Sequence, residues 1–254
     1  MKRKWILLSA CLFVLLLLPA AAFSEEGTER KVKIGVGVGS SISEYSEYSP
    51  LVLPFPMIEY DDNLFYVRGF RGGIKVLNDE NNEASVFVQY DTQSFYNSRT
   101  GDSALAKLDN RYSSLFAGVS YSFKSPYGIF NVCGMTDILG ISDGTIVDAS
   151  YAFPFRLQEF TLVPSVGVKY ADSAYNDYYY GISRSESAKS SLSEYSPVYS
   201  FSPYVGLTAN IHFMENWDAG MYTRLMLLDG TVTSSPMVDK EAHFSFGAML
   251  NYTF

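Results

Sequence analysis

Apolar and polar residues alternate with a period of two along most of the chain. In the last segment, FSFGAMLNYTF, the even-numbered positions from Phe244 to Phe254 are apolar, and the odd-numbered positions are small or polar apart from Met249. Segments 160–170 and 199–211 show the same alternation. Side chains alternate across a β-strand, so this pattern predicts strands with one apolar and one polar face. The final strand is apolar to its last residue, and that face needs either a protein core or lipid beside it.

Twelve segments with this alternation are candidate strands. They are 31–40, 51–60, 63–77, 83–95, 112–123, 127–137, 144–153, 160–170, 174–183, 199–211, 216–228 and 244–254. Several are longer than the usual strand of a soluble domain and match a tilted strand that crosses a bilayer. Helical periodicity is essentially absent. Because only a closed barrel pairs every backbone group in hydrocarbon, the pattern predicts an all-β fold, a closed antiparallel transmembrane β-barrel of about 12 strands, with ten as the alternative count.

The start of the chain, MKRKWILLSACLFVLLLLPAAAFS, has the features of a secretory signal peptide over residues 1–24. A cationic head precedes an apolar run, and small residues follow Pro19. We expect cleavage after Ala22 or Ser24, which leaves residues 25–254 as a single barrel domain. Periodicity alone also fits a soluble β-sandwich with its faces reversed, but the export signal, the strand length and the apolar terminus favour the barrel.

Charge and cysteine content narrow the classes of protein further. Removal of the signal peptide takes three of the 19 basic residues and none of the 27 acidic ones, so the mature chain has a net charge of −11. Nucleic acid is not an expected partner, because a phosphate backbone requires clustered cations. Cys133 is the one cysteine after the predicted signal peptide, so the mature chain has no intrachain disulfide. Its stability must come from the fold itself.

Threading twelve strands with both termini in the periplasm assigns each connection to one side of the membrane. The long polar segments predicted outside are 41–50, 184–197 and 229–241, and short periplasmic turns are predicted at 61–62, 171–173 and 212–215. The middle of the chain fits less well, because 96–111 becomes a long periplasmic connection and 124–126 a short external one. This indicates either ten strands or a periplasmic role for 96–111.

Two histidines are the candidates for catalytic chemistry. His212 lies in the predicted periplasmic turn IHFMEN, where a turn cap or a solvated role is expected. His243 is predicted to face the lumen near the external rim, with Asp239 and Glu241 close in sequence. A histidine–carboxylate pair at a rim can activate water for hydrolysis. A rim histidine in a polar lumen explains the same sequence, so no catalytic residue is assigned.

Two motifs and the inner faces of the predicted strands have structural explanations. The stretch GVGVGS at 35–40 lacks the last glycine of a dinucleotide-binding loop, and it is interpreted as a strand with small residues on one face. Asn251 matches a glycosylation site in form only, because it lies within the last strand. The predicted inner faces carry small polar residues together with Lys169, Asp218 and Arg224.

Acidic pairs occur in two predicted turns, Asp61-Asp62 and Asp79-Glu80. Solvated side chains are expected there, with divalent-cation bridging to lipopolysaccharide as the alternative. No two histidines or cysteines stand at ligand spacing, so no metal-binding or cofactor-binding residue is assigned.

Four stretches of the chain carry a family resemblance. They are SEYSPLVLPFPMIEYDDNLFYVRGFRGG (46–73), LFAGVSYSF (115–123), YADSAYNDYYYGISRSESAKSSLSEYSP (170–197) and SSPMVDKEAHFSFGAMLNYTF (234–254). Over nearly the whole mature chain the sequence resembles the MipA/OmpV family of outer-membrane proteins. The resemblance implies a signal-bearing outer-membrane barrel, and one member of the family is known as a scaffold for a murein-degrading transglycosylase. A periplasmic murein hydrolase or synthase is therefore an implied partner.

Three functions are consistent with the sequence. The first is a structural or scaffolding component of the cell envelope that interacts with peptidoglycan-remodelling enzymes. The alternative is a narrow pore or small-solute channel, and the second alternative is a surface barrel hydrolase. We predict the first, and no enzymatic activity, for a protein of the cell outer membrane of a Gram-negative-type bacterium, in contact with outer-membrane lipid and lipopolysaccharide.

Overall fold

Antiparallel strands form one sheet that closes into a barrel. The computed structural model describes residues 31–50 and 52–254, and the predicted signal peptide lies outside the described residues. The strands are β1 (Lys31–Ile42), β2 (Leu53–Asp61), β3 (Phe65–Arg68), β4 (Arg71–Asn78), β5 (Asn82–Asp91), β6 (Ser114–Ser125), β7 (Gly128–Asp137), β8 (Thr145–Ala152), β9 (Phe155–Leu157), β10 (Phe160–Ala171), β11 (Ser200–Phe213), β12 (Trp217–Leu227) and β13 (Ala242–Thr253). Each strand from β1 to β7 pairs with the next, β8 pairs with β10, and β13 pairs with β1.

Twelve of these strands make up the closed ring. The pairing of β10 with β11 joins the two ends of the sheet, from Phe160 opposite Ile211 to Ala171 opposite Ser200. The short strand β9 pairs with the start of β10 and β8 with its remainder, so β8 and β9 are one interrupted strand. Closure of the ring supplies the backbone pairing that hydrocarbon surroundings require.

The predicted count of twelve is confirmed, although two of the segments differ from the prediction. Segment 63–77 forms two strands, β3 and β4, because Gly69 adopts a left-handed conformation (φ 61°) and makes a tight turn with Phe70. Segment 174–183 contains a helix instead of a strand. The gain of one strand and the loss of another cancel in the count.

Short helices lie in the connections between strands. They are α1 (Ser173–Tyr180), α2 (Arg184–Ser190) and α3 (Gly230–Thr233), with 3-10 turns at Asn97–Arg99 and Leu105–Lys107. Asp172 caps α1 by accepting the N–H of Tyr175, and Ser183 forms a capping box with Glu186 at the start of α2. These caps satisfy free N–H groups of the first turn, which favours a helix over the predicted strand. In the part of the chain that the structure describes, no helix is long and apolar enough to span a membrane.

The two ends of the barrel differ in the length of their connections. One end, here called the turn end, carries Lys31, Phe254 and the short connections 62–64, 79–81, 126–127, 158–159 and 214–216. The other end, here called the loop end, carries the longer connections 43–52, 92–113, 138–144, 172–199 and 228–241. Outer-membrane barrels have short periplasmic turns and longer extracellular loops, so the turn end is assigned to the periplasm.

This arrangement corrects the predicted side of the connections in the middle of the chain. Segment 96–111 lies at the loop end, where the N–H of Ser49 donates to the carbonyl oxygen of Arg99 at 3.1 Å. Segment 171–173 begins a long loop-end connection, and 124–126 leads into a turn at the turn end. Because the hairpin within 63–77 was not predicted, every connection after it was assigned to the wrong side of the membrane. The strand wrongly predicted at 174–183 reversed the assignment again, so the later connections were placed correctly.

The barrel wall has an apolar outer face and an inner face rich in small and polar residues, as predicted. Val36 and Leu250 are register partners that project outward, whereas the adjacent Asn251 is buried inside. The glycines of segment 35–40 face the lumen, where a Cβ added to Gly37 would lie 2.5 Å from the ring of Phe55. Small residues on one face of this strand are therefore a packing requirement.

Candidate functional site in the lumen

Buried side chains from the loop-end connections close the lumen at that end. They are Tyr45, Phe95, Leu105, Leu108, Tyr175, Tyr179, Tyr180, Ile182, Val232 and Met237, which we call the plug. The ring centroids of Tyr45 and Phe95 are 4.9 Å apart, and those of Tyr175 and Tyr179 are 4.7 Å apart. Aromatic pairs at this spacing stabilise a core beyond the apolar area that they bury. The four longest loop-end connections thus form one packed layer.

Polar contacts between distant residues hold the plug together. The hydroxyl of Tyr45 donates to the carbonyl oxygen of Tyr179 at 3.1 Å. The guanidinium of Arg111 pairs with the carboxylate of Glu186 at 2.7 Å, and both side chains are almost fully buried. Glu186 also belongs to the capping box of α2, so one carboxylate joins segment 92–113 to that helix.

A buried carboxylate, Glu44, lies next to the plug. Its side chain is only 2% exposed, and its Oε2 lies 2.7 Å from Nδ1 of His243. Its Oε1 accepts the hydroxyl of Tyr180 at 2.8 Å and Nε2 of Gln93 at 2.9 Å. Both carboxylate oxygens therefore have partners, which a buried charge requires.

The electrostatics of this cluster favour an ionised Glu44. Burial by itself raises the pKa of a carboxyl, but the hydrogen bond and positive charge of His243 outweigh it and hold the pKa of Glu44 at about 2. Burial and the nearby charge of Glu44 raise the pKa of Tyr180 well above its usual value, so its hydroxyl remains a donor. Among the described residues, no Ser, Thr or Cys hydrogen-bonds to His243. The cluster has the geometry of a clamp between β13 and the segment after β1.

Ion pairs line the lumen nearer the turn end. Arg68 contacts Asp61 at 2.6 Å and Glu83 at 2.8 Å. The ammonium group of Lys75, itself buried, pairs with the same Asp61. Asp61 was expected to be a solvated turn residue, and this network corrects that expectation: the side chain points inward from β2.

His212 belongs to a second polar group at the turn end. It lies within β11 instead of the predicted turn, and its side chain is 48% exposed. Its Nδ1 is 3.0 Å from Asp218, whose other oxygen pairs with Lys33 at 2.8 Å. A half-exposed histidine that pairs with a carboxylate matches the solvated role predicted for it.

A cavity of about 280 Å³ adjoins the lumenal face of β10, β11 and β12. Its lining includes Ser165, Thr208, Tyr222, Arg224 and Ser245. The guanidinium of Arg224 lies over the ring of Tyr204, 4.3 Å from its centroid. Of the described carboxylates, none lies within ion-pair distance of this guanidinium, whereas Lys33, Arg68 and Lys75 have such partners. Arg224 therefore has capacity to bind an anion from the lumen, and it is the cation in the lining of this cavity.

The other sequence-predicted positions have structural roles. Asp239, which is close to His243 in the sequence, pairs with Lys240 at 3.1 Å, and the carboxylate that contacts His243 is Glu44. Asp62 and Asp79 cap their turns by accepting backbone N–H groups. Within the described ranges, no group of three or more His, Cys, Asp or Glu side chains could hold a metal ion.

Sequence reasoning missed the clamp, and it did not identify which loop residues form the plug. Glu44 and His243 are 199 positions apart, and their contact has no local signal. Helix α2 did have a local signal in the sequence, because Ser183 followed by Glu186 is a capping-box pattern.

A closed antiparallel barrel with an apolar outer face, short turns at one end and long loops at the other defines an outer-membrane β-barrel protein. The profile of the family described as MltA-interacting protein MipA matches residues 34–254, and the chain belongs to this family. The resemblance seen in the sequence is thereby confirmed.

Several relatives of the chain are named as outer membrane proteins. The MltA-interacting protein of Escherichia coli (strain K12) is 34% identical over 226 residues, which cover 89% of this chain and 91% of that protein. The outer membrane protein YiaT of the same strain is 31% identical over 235 residues, with 92% and 96% covered. OmpV of Vibrio cholerae is 25% identical over 147 residues, with 58% and 57% covered. The chain is thus an outer-membrane protein of a Gram-negative-type bacterium.

Solved structures show only distant likeness. An outer membrane channel of Pseudomonas putida F1 has a TM-score of 0.45 and 9% identity, with 92% of this chain and 98% of that chain covered. The outer membrane channel DcaP of Acinetobacter baumannii has a TM-score of 0.39 and 8% identity, with 91% and 100% covered. Neither likeness bears on what this chain does.

Proposed function

We propose that the protein is a structural or scaffolding component of the outer membrane that holds a peptidoglycan-remodelling enzyme at its turn end. The observation that carries the proposal is the plug, because loops that pack into the lumen favour a closed barrel over an open pore. The name of the relative from Escherichia coli, MltA-interacting protein, supports a partner of this kind. The proposal includes no catalytic residue.

Exposed apolar side chains at the turn end support a docking role. Tyr127 and Met214 are 79% and 78% exposed. Met214 and Glu215 both have left-handed backbone conformations, with φ of 50° and 53°. Non-glycine residues in this region cost energy, and such strain concentrates at functional positions. We therefore place the contact surface around the β11–β12 turn.

Binding to purified MltA tests the proposal directly. The folded barrel is immobilised in detergent, and the affinity of MltA is measured for the parent protein and for Met214→Asp. We expect Met214→Asp to weaken binding by about tenfold, the effect of losing one exposed apolar anchor. Tyr199→Asp, at an exposed aromatic position near the loop end, is the matched control and should bind as the parent does. Equal loss in both variants, or no binding by the parent, would refute the docking surface.

A narrow pore is the second candidate, and the cavity beside Arg224 favours it. Ion conductance through the parent barrel in planar bilayers would support this candidate. A conductance no higher than that of protein-free bilayers would exclude the pore and favour the scaffolding function.

A further inference from the structure

The barrel wall is incomplete above the hairpin of β3 and β4. The pairing of β2 with β3 covers only Glu59 to Asp61, whereas β2 pairs with β1 from Leu53 onward. The tip of the hairpin ends opposite Tyr90, whose N–H donates to the carbonyl oxygen of Phe70 at 3.0 Å. Towards the loop end, residues 53–58 of β2 therefore have no strand beside them on this side, and β5 itself ends at Asp91, just beyond the hairpin tip. This opening, here called the window, spans several residues of β2.

Prolines explain why the edge of β2 is left without a neighbour. Pro54 and Pro56 alternate along this part of β2, opposite Val38 and Val36 of β1. Proline has no N–H to donate, so it is confined to strand positions that face no partner. Two prolines at alternate positions of one strand also prevent another strand from pairing with this edge. The window is thus specified by the sequence, and a β-strand is not its occupant.

The window lies within the lipid-facing wall. Pro56 is in register with Val36, which in turn is in register with Leu250 on the outer apolar face. On the opposite side, Tyr90 near the end of β5 is exposed on the outer face. The medium outside the window is therefore hydrocarbon at its lower part and the interface above it.

Hydrogen-bonded loops close the top of the window. Thr100 forms a bridge with Tyr48, and the N–H of Gly101 donates to the carbonyl oxygen of Glu47 at 2.9 Å. The guanidinium of Arg99 lies over the ring of Tyr48, 4.7 Å from its centroid. The opening is therefore a bounded hole in the wall instead of an open cleft to the outside.

A row of aromatic rings crosses the wall at the window. Phe55 lies on the lumen side against Gly37, Phe70 lies at the hairpin tip, and Tyr90 lies on the lipid side. The ring centroids are 5.3 Å apart between Phe55 and Phe70 and 6.3 Å apart between Phe70 and Tyr90. Rings and not a paired strand occupy this part of the wall, and side chains change rotamer far more readily than a paired strand moves.

The lumen side of the window leads to the cavity beside Arg224. A Cβ added to Gly39 would lie 3.4 Å from the ring of Phe55 and 3.3 Å from the hydroxyl of Tyr222. Tyr222 lines the cavity, and Arg224 lies two residues further along the same face of β12. The small residue at position 39 thus connects the aromatic row with the guanidinium that has no carboxylate partner.

We propose that the window is a lateral port for a single-chain anionic amphiphile, such as a long-chain carboxylic acid, whose alkyl chain lies between Phe55 and Tyr90 while its anionic group binds Arg224. The apolar outer surround selects the chain, and the unpaired guanidinium selects the charge. This function is independent of partner docking at the turn end.

Fluorescence quenching of the whole folded protein in detergent tests the port. Trp217→Phe removes the tryptophan that follows the predicted signal peptide, and Phe55→Trp places a reporter on the lumen side of the window. Brominated stearic acid is the probe, because bromine quenches tryptophan on contact. We expect saturable quenching by the acid and binding about tenfold weaker for the brominated methyl ester. Arg224→Gln should weaken binding of the acid to the affinity of the methyl ester, and it should leave binding of the ester unchanged.

Two control reporters decide where the chain lies. Val36→Trp, on the outer apolar face, should be quenched by acid and ester alike. Ser122→Trp, on the inner face of β6 away from the window, should remain unquenched. Quenching of the Ser122→Trp reporter as strong as that at position 55, or none at position 55 while position 36 responds, would overturn the port. Equal binding of acid and ester, or no effect of Arg224→Gln, would overturn the assignment of the anion to Arg224.

Discussion

The loop end and the turn end of the lumen are lined by the same strands but filled by different chemistry. At the loop end, aromatic rings from three connections pack with apolar side chains from a fourth and have almost no exposure, and the buried carboxylates of Glu44 and Glu186 have charged partners. At the turn end, ion pairs such as that of Asp218 with Lys33 stay partly exposed, with side-chain exposures of 22% and 30%. At the loop end an unpaired charged group would be buried and would cost much folding free energy, whereas at the turn end solvent can hydrate it at little cost.

This contrast indicates a closed, stable outer lid above an adaptable periplasmic half. Removing one partner of a buried ion pair strongly destabilises the folded protein, whereas an exposed ion pair contributes only about 1 kcal/mol or less to its stability. Mutations at the loop end should therefore open or unfold the plug, and matched mutations at the turn end should be tolerated.

The largest difference is expected for aromatic truncation. Tyr45→Ala removes a side chain with no exposure from the centre of the plug and should cost about 3–5 kcal/mol of plug stability. Increased ion conductance and faster protease cleavage within 92–113 are the measurements. Tyr127→Ala, at the exposed turn end, should change stability by less than about 0.5 kcal/mol. Similar behaviour of the two variants would remove the contrast between the ends.

Removal of one charge at each end is the second comparison. Glu44→Gln leaves His243 beside a neutral amide in a buried site and should cost about 3 kcal/mol, while Asp218→Asn should cost about 1 kcal/mol or less. Urea titration of the folded barrel in lipid vesicles measures both. A greater loss for Asp218→Asn would show that the turn end carries the critical pair.

The third comparison tests the wall that both ends share. Leu250→Arg places a charge on the outer apolar face near the middle of the wall and should cost about 2–4 kcal/mol. Ser245→Arg, on the inner face of the same strand beside the cavity, should be milder because its side chain reaches water in the lumen. Equal costs in a vesicle unfolding assay would mean that the two faces are not distinguished by lipid.

Acid should open the loop end before it affects the wall. The pKa of Glu44 is lowered from 4.5 to about 2 in the folded protein, so its contribution is complete above pH 4.5 and is lost as the pH falls through 2. That contribution is at most about 3 kcal/mol. When conductance is recorded from pH 7 to pH 2, the conductance of the parent protein should rise between pH 4.5 and pH 2. In Glu44→Gln this acid step should be absent, and its persistence would assign the step to another carboxyl.

The smallest effect on stability is expected at the terminal residue of the turn end. Phe254 is 72% exposed and packs on Tyr252 with ring centroids 4.9 Å apart. Phe254→Ser should therefore change the unfolding free energy by less than about 1 kcal/mol. We expect a kinetic effect instead, with less protein assembled in the outer membrane and more left in the periplasm. Normal assembly with much earlier melting would identify Phe254 as a packing residue.

The sequence by itself determined the faces of the wall and the class of fold. Strand side chains alternate at every second residue, so Leu250 and Asn251 are assigned to opposite faces by their neighbours alone. The barrel followed because strands this long with one apolar face need lipid and closure. The capping box of Ser183 and Glu186 was equally local and could have predicted α2, the helix that begins directly after the segment predicted as a strand.

Only the tertiary structure decided how the lumen is filled and where the wall opens. The contact of Glu44 with His243, the plug around Tyr45 and the cavity beside Arg224 join segments far apart in the chain, and no local period records such contacts. The side of each connection also depended on the turn at Gly69, since one missed hairpin reverses all that follow it. Closure of the ring fixes these relations because each strand of the ring takes its position from its neighbours, and β1 and β13, which are neighbours in the ring, lie at opposite ends of the described chain.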